Sequence, residues 1–128
     1  MTQAIQIERE RGVLTLRLNR PEKKNALTRA MYSHLAEALK QADTDPEINA
    51  VLITGSAECF TAGNDIADFI QQPPGSLDSP VFHFMVNLLE CRKPVIAAVA
   101  GAAVGIGTTM LLHCDLVYVS RDARLRMP

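Results

Sequence analysis

KPVIAAVAGAAVGIGTTMLLHCD, Lys93 to Asp115, sets Gly101, Gly105 and Gly107 within one short span of a chain that has 7 glycines in all, and then runs into an apolar segment. The spacing predicts a buried strand over Val95 to Val99, a turn over Gly101 to Gly107 and a helix over Thr108 to His113. Almost no acid, base or nucleophile is present, so any chemistry done here falls to the backbone. A dinucleotide fingerprint of the form G-x-G-x-x-G would need a third glycine where Met110 stands, and no Gly-Lys-Ser/Thr follows for a phosphate loop. The glycines also fit a purely structural purpose, permitting positive φ and close packing of helix on sheet. A third possibility uses the unpaired N–H groups of a helix N-terminus, which with the helix dipole stabilise a developing negative charge.

Outward from this stretch, apolar patterning alternates between strand and helix. Ile5 and Ile7, then Leu14, Leu16 and Leu18, alternate with polar residues around Gly12 and predict a hairpin that stops near Pro21. Thr28 is placed to cap a helix carrying Met31, Leu35, Leu39 and Ala42, which ends at Asp43 to Pro46. Ala50 to Gly55 is a continuously apolar run, expected of a strand buried on both faces. AECFTAGNDIADFIQQPPGSLDSP, Ala57 to Pro80, reads as a loop kept irregular by Pro73 and Pro74. Ser79 and Pro80 then open a helix with a stripe of Phe82, Met85, Val86 and Leu89, and Leu116 to Val119 reads as a last strand. No internal repeat, linker or low-complexity tract is visible, so the pattern is that of one α/β domain or part of one.

The totals narrow the function classes. A net charge of -1 with 21% charged and 48% hydrophobic residues indicates neither disorder nor a surface for nucleic acid. Three cysteines, Cys59, Cys91 and Cys114, form no C-x-x-C pair and suit a reducing, cytoplasmic setting. The start MTQAIQIERERG is more polar and more acidic than expected of a signal or transit peptide, and no apolar run approaches the ~20 residues of a membrane span. His34, His83 and His113 lack metal-ligand spacing, and the consecutive His113, Cys114 and Asp115 diverge on a helix, so no metal is expected. Neither Ser33 nor Ser56 lies in a nucleophile elbow.

What remains is a choice between glycines that serve packing alone and a backbone site. On the second of these readings, Phe60 to Ile66, which follows a buried strand and has its own glycine, is the candidate source of a second N–H donor beside those after Gly105. Two such donors favour the enolate or tetrahedral form of a thioester carbonyl, each by about 3 to 4 kcal/mol. Asp65 and Asp68 fit either an acid/base pair or helix-capping acceptors. Arg20, Lys23 and Lys24 fit either a solvated turn or a contact to an anionic group such as a nucleotide phosphate.

Taken together, NRPEKKNAL (Asn19 to Leu27), FTAGNDI (Phe60 to Ile66), KPVIAAVAGAAVGIG (Lys93 to Gly107) and CDLVYVS (Cys114 to Ser120) resemble the crotonase superfamily, the enoyl-CoA hydratase and isomerase proteins. The pieces occur in the family's order and cover nearly the whole chain. The resemblance implies a β-β-α spiral fold that binds an acyl-CoA thioester between two backbone N–H groups. By position these belong to Asn64 and Ile106. The CoA-binding turn maps onto Lys24, Asn25, Ala26 and Leu27, and the acyl pocket onto Ala62, Gly63, Asn64, Asp65 and Ile66, with Gly105 and Thr109 beside it. No separate cofactor is implied, because CoA is carried by the substrate.

One departure from the family pattern bears on the reaction. Hydratases carry a catalytic Glu two residues after the last glycine of this motif, where Thr109 stands here; their second Glu would follow Pro128. GIGTTMLLHCDLVY and FTAGNDIADF look more like the Δ3,Δ2-enoyl-CoA isomerase branch of fatty-acid or aromatic-acid degradation, in which one acid moves a proton between C2 and C4. That acid lies further along the family's chain. Residues 1–128 therefore resemble the N-terminal part of a single crotonase-like domain, without the C-terminal strands and helical tail that build trimers or hexamers. The alternatives are a hydratase and a non-catalytic acyl-CoA-binding or assembly module.

Overall fold

Alternating leucines open the architecture. In the computed structural model, which describes residues 3–71 and 78–127, β1 (Ile5–Glu10) and β2 (Val13–Leu18) form an antiparallel hairpin around Arg11 and Gly12. Leu14, Leu16 and Leu18 all turn inward from β2. A crossover through α1 (Arg29–Thr44) brings the chain back parallel as β3 (Ala50–Thr54). Thr28 caps α1, its Oγ1 accepting the Met31 N–H at 3.2 Å. The buried face of α1 is wider than the predicted stripe, adding Tyr32, Ala36 and Ala38.

The predicted loop after β3 contains two elements, β4 (Cys59–Thr61) and α2 (Ile66–Gln71). Pro73 and Pro74 lie outside the described residues. α3 (Pro80–Glu90) begins at Pro80, although the Ser79 hydroxyl makes no capping bond. Its buried face also differs from the predicted stripe. Phe84 and Leu88 are buried with Val81 and Met85 packed beside them, whereas Phe82, Val86 and Leu89 are exposed. Both sets have helical spacing, and only packing against α1 and Tyr32 selects between them.

β5 (Val95–Val99) pairs parallel with β3, and β7 (Leu116–Val119) pairs parallel with β5, giving a five-stranded sheet in the order β1-β2-β3-β5-β7. The predicted turn at Gly101 to Gly107 holds β6 (Ala102–Val104) and the start of α4 (Ile106–Thr109). The predicted helix is accordingly one α turn followed by a 3₁₀ turn, Met110–His113. β8 (Arg124–Arg126) joins β4 and β6 in a second, all-parallel sheet in the order β4-β6-β8.

A repeat thus exists in space that the sequence does not display. β3 and β4, β5 and β6, and β7 and β8 each place one strand in the large sheet and the next in the small one. Gly101 turns the second of these corners so tightly that a Cβ there would lie 1.9 Å from the Glu58 carbonyl oxygen. The core lies on the face of the large sheet lined by Leu16, Val51, Ile53, Val95, Ala97 and Val99, under α1 and α3. The opposite residues of β3 and β5 are half-exposed, so these strands are not buried on both faces as expected from their composition. All four residues of β7 are exposed.

Candidate functional site at the end of the small sheet

The turn before α1 is built around a buried asparagine. Lys24 and Asn25 both adopt left-handed backbone conformations, at φ 51° and 58°. Asn25 Oδ1 accepts the Arg20 N–H at 2.7 Å, and Nδ2 lies 3.1 Å from both the Cys59 and Phe60 carbonyls. The Asn25 carbonyl accepts the Thr61 hydroxyl at 2.6 Å. The turn is thereby clipped onto β4. Of the predicted CoA-binding residues, Asn25 and Leu27 have inward side chains, Ala26 is half-buried, and the Lys24 side chain reaches solvent.

β4 leaves the small sheet through Ala62 and Gly63. Gly63 N–H donates to Thr61 Oγ1 at 3.0 Å, and the Gly63 carbonyl accepts the Leu27 N–H at 2.8 Å. The C=O and N–H of a trans peptide point in opposite directions. The Asn64 N–H therefore points away from Leu27, and it has no backbone acceptor among the described residues. On the far side, Asp65 N–H donates to the Leu27 carbonyl at 2.8 Å, so Asn64 is pinned from both flanks.

The same logic fixes Ile106. The Gly105 carbonyl lies 2.9 Å from the Thr108 nitrogen and 3.0 Å from that of Thr109, inside the turn that begins there. Its peptide partner, the Ile106 N–H, consequently points out of the turn and has no acceptor among the described residues. Gly105 holds φ 60° and ψ -121°, a conformation open essentially to glycine, and its N–H is anchored on the Arg126 carbonyl at 2.9 Å. With only one α turn and one 3₁₀ turn behind Ile106, the fixed peptide direction carries more weight than a helix dipole.

These two exits are neighbours. β4 and β6 run parallel side by side; a Cβ on Gly63 would stand 3.0 Å from the Val104 carbonyl oxygen, and one on Gly107 would meet Thr61 Cγ2 at 2.6 Å. Asn64 and Gly105–Ile106 thus leave the same end of the sheet from adjacent strands. α2, which follows Asn64 in the chain, carries the exposed apolar side chains Ile66, Phe69 and Ile70. Thr109 is half-buried at the end of α4.

The two aspartates are structural acceptors here. Asp65 caps α2, with Oδ1 accepting the Asp68 N–H at 3.0 Å, and its Oδ2 pairs with Arg20 at 2.7 Å. The Asp68 N–H and the Arg20 guanidinium hold the Asp65 carboxyl below its ordinary pKa, which suits an anchor and not a neutral-pH proton donor. Asp68 accepts the Arg29 N–H, in the first turn of α1, at 2.9 Å. Sequence patterning did not single out Tyr32, whose hydroxyl donates to Asn64 Oδ1. The available signal was chemical: a tyrosine on a buried helix face needs an acceptor for its O–H.

The profile of the enoyl-CoA hydratase/isomerase family matches residues 8–128. This chain belongs to that family. It is 41% identical to the 1,2-epoxyphenylacetyl-CoA isomerase of Escherichia coli K12, over 92% of this chain and 48% of the relative. It is 38% identical to a probable enoyl-CoA hydratase, echA8, of Mycobacterium leprae, over 91% of this chain and 45% of the relative. The solved structure of Pseudomonas aeruginosa OdaA superposes with a TM-score of 0.96 at 65% identity, covering 99% of this chain and 51% of that one. The chain spans about half the length of these family members. Its architecture is the crotonase β-β-α spiral, and both isomerase and hydratase names occur among its relatives.

Proposed function

We propose that this chain forms part of an enzyme that moves the double bond of a 3-enoyl-CoA to the 2-position, through an enolate held by the Asn64 and Ile106 N–H groups. The observation that carries this reading is the pair of peptides whose carbonyls are tied inward, so that both N–H groups face outward from adjacent strand ends. A thioester oxygen placed between them gains charge when a base takes a proton from C2. The electron pair delocalises over the oxygen and C4; return of the proton to C4 re-forms the carbonyl and leaves the double bond at C2. Each N–H contributes about 3 to 4 kcal/mol if it meets the oxyanion at hydrogen-bond distance.

Lys24, exposed on the turn before α1, suits the anionic phosphates of CoA, while Ile66, Phe69 and Ile70 suit the acyl chain. Asp65 and Asp68 are engaged by Arg20 and by Arg29, so the proton carrier in this proposal is an acid from chain beyond residue 128. Thr109, standing where hydratases carry Glu, favours the isomerase over the hydratase, since threonine is not a general base at neutral pH. The same proposal places residues 1–128 in the N-terminal part of one domain that assembles as a trimer or hexamer. It also places the protein in the cytoplasm, in keeping with three unpaired cysteines.

Incubating the full natural polypeptide with a 3-enoyl-CoA and following 2-enoyl-CoA is the test. Accumulation of the 2-enoyl product supports the isomerase, whereas far faster hydration of a 2-enoyl-CoA overturns that choice. Binding of acyl-CoA without any turnover identifies a binding module instead.

A further inference from the structure

Asn64 is held by more than its backbone. Tyr32 lies on the inner face of α1, 3% exposed, with its ring tilted against Phe84 of α3 at a centroid distance of 5.6 Å. Its hydroxyl reaches past the core and donates to Asn64 Oδ1. A buried phenol requires an acceptor, and here the acceptor is the side chain of the residue assigned as an oxyanion donor. Burial raises the Tyr32 pKa above its ordinary value, so the phenol keeps its proton throughout the physiological range. Leu27 holds the peptides on either side of Asn64, Thr61 holds the Gly63 N–H one peptide earlier, and Asp65 is tied to Arg20, so these anchors act on the backbone and on neighbouring residues. Tyr32 alone ties the Asn64 side chain itself to the helical layer among the described residues.

We infer that Tyr32 is a positioning residue for the reaction: its hydroxyl fixes the Asn64 side chain and thereby the aim of the Asn64 N–H at the thioester oxygen. This rests on the backbone site proposed above. The physical reason is leverage. Asn64 is exposed at a strand end, and a donor displaced by about 1 Å from its working position loses up to a hundredfold in rate. A rigid phenol held between two helices supplies an anchor from outside the loop, at a residue whose side chain otherwise has no partner among the described residues.

The two claims separate in one experiment on the full natural polypeptide. The probe is hexanoyl-CoA carrying ¹³C at the thioester carbonyl, with the bound C=O stretch read by infrared difference spectroscopy. Wild-type protein is expected to shift the stretch to lower frequency, as two N–H donors polarise the carbonyl. Tyr32→Phe, which retains the ring, is expected to lose part of that shift and to lower kcat about tenfold with KM changed less than about twofold. Asn64→Ala keeps the backbone N–H and alters an exposed side chain; it is expected to reproduce the loss, and the double variant to add nothing. If Tyr32→Phe does not fold, Asn64→Ala carries the test. A full carbonyl shift and full kcat in Tyr32→Phe, or in Asn64→Ala, overturn the positioning role, whatever happens to stability. Absence of the shift in wild-type protein overturns the backbone site, and the positioning role with it.

Discussion

Gly105 and Asp65 show what single residues do at this site. Among the described residues, chain neighbours aside, no heavy atom lies within 4 Å of the place a Cβ would occupy on Gly105, so Gly105→Ala meets no steric wall there. Its cost is conformational, about 1 to 3 kcal/mol for an alanine held in this region of φ/ψ. Relief of that strain would rotate the Gly105–Ile106 peptide, so acyl-CoA binding and turnover should fall further than a drop in Tm explains. A variant with normal turnover and a lowered Tm would remove the Ile106 peptide from the mechanism. For Asp65 the sign is set by its lowered pKa, whose causes are the Asp68 N–H and then Arg20. The stabilisation is present above the ordinary aspartate value, about 3.9, and is lost as pH falls through the lower folded value. Asp65→Asn should reduce Tm at neutral pH and flatten the acid limb of a Tm-against-pH curve; an unchanged limb would show that the ion pair and cap do not anchor the loop.

At the scale of elements, the capping residue and the helix faces make separate predictions. Thr28→Ala removes the bond to Met31 and should destabilise by about 1 kcal/mol in chemical denaturation. In α3, Phe84→Ala should cost about 3 to 5 kcal/mol and Phe82→Ala far less, because Phe84 is buried against Tyr32 and Phe82 is exposed. Equal costs would mean that α3 packs through the other face. That choice was not legible in the sequence, since Phe82, Met85, Val86 and Leu89 and the observed Val81, Phe84, Met85 and Leu88 have equivalent spacing. β1, β2 and α1 were legible from their apolar period, and β3 and β5 from continuous apolar runs, although those runs did not reveal that one face of each strand stays half-exposed. The small sheet was not. Cys59–Thr61, Ala102–Val104 and Arg124–Arg126 are three residues each and sit among glycines and polar residues that read as loop and turn.

Across the whole molecule, the strand missed by patterning is also what positions the site. Asn64 and Ile106 were marked only by the wording of FTAGNDI and GAAVGIG, whereas what brings the two segments out at one end of the small sheet is the parallel pairing of β4 with β6. Tyr32 joins Asn64 from a third element, and no linear motif connects the two. At the other end of the large sheet, β7 presents Leu116, Val117, Tyr118 and Val119 to solvent, with Tyr118 64% exposed. Parallel strands are ordinarily covered on both faces, and a long apolar edge promotes association. Residues 1–128 prepared alone should therefore sediment as concentration-dependent oligomers, and Tyr118→Lys should shift them towards monomer. In the proposed reaction, two outward backbone N–H groups share one thioester oxygen. A crystal structure of the full polypeptide with a saturated acyl-CoA bound decides whether they do: the oxygen is expected within about 3.2 Å of both the Asn64 and Ile106 nitrogens, and a carbonyl seated away from either nitrogen would rule the sharing out.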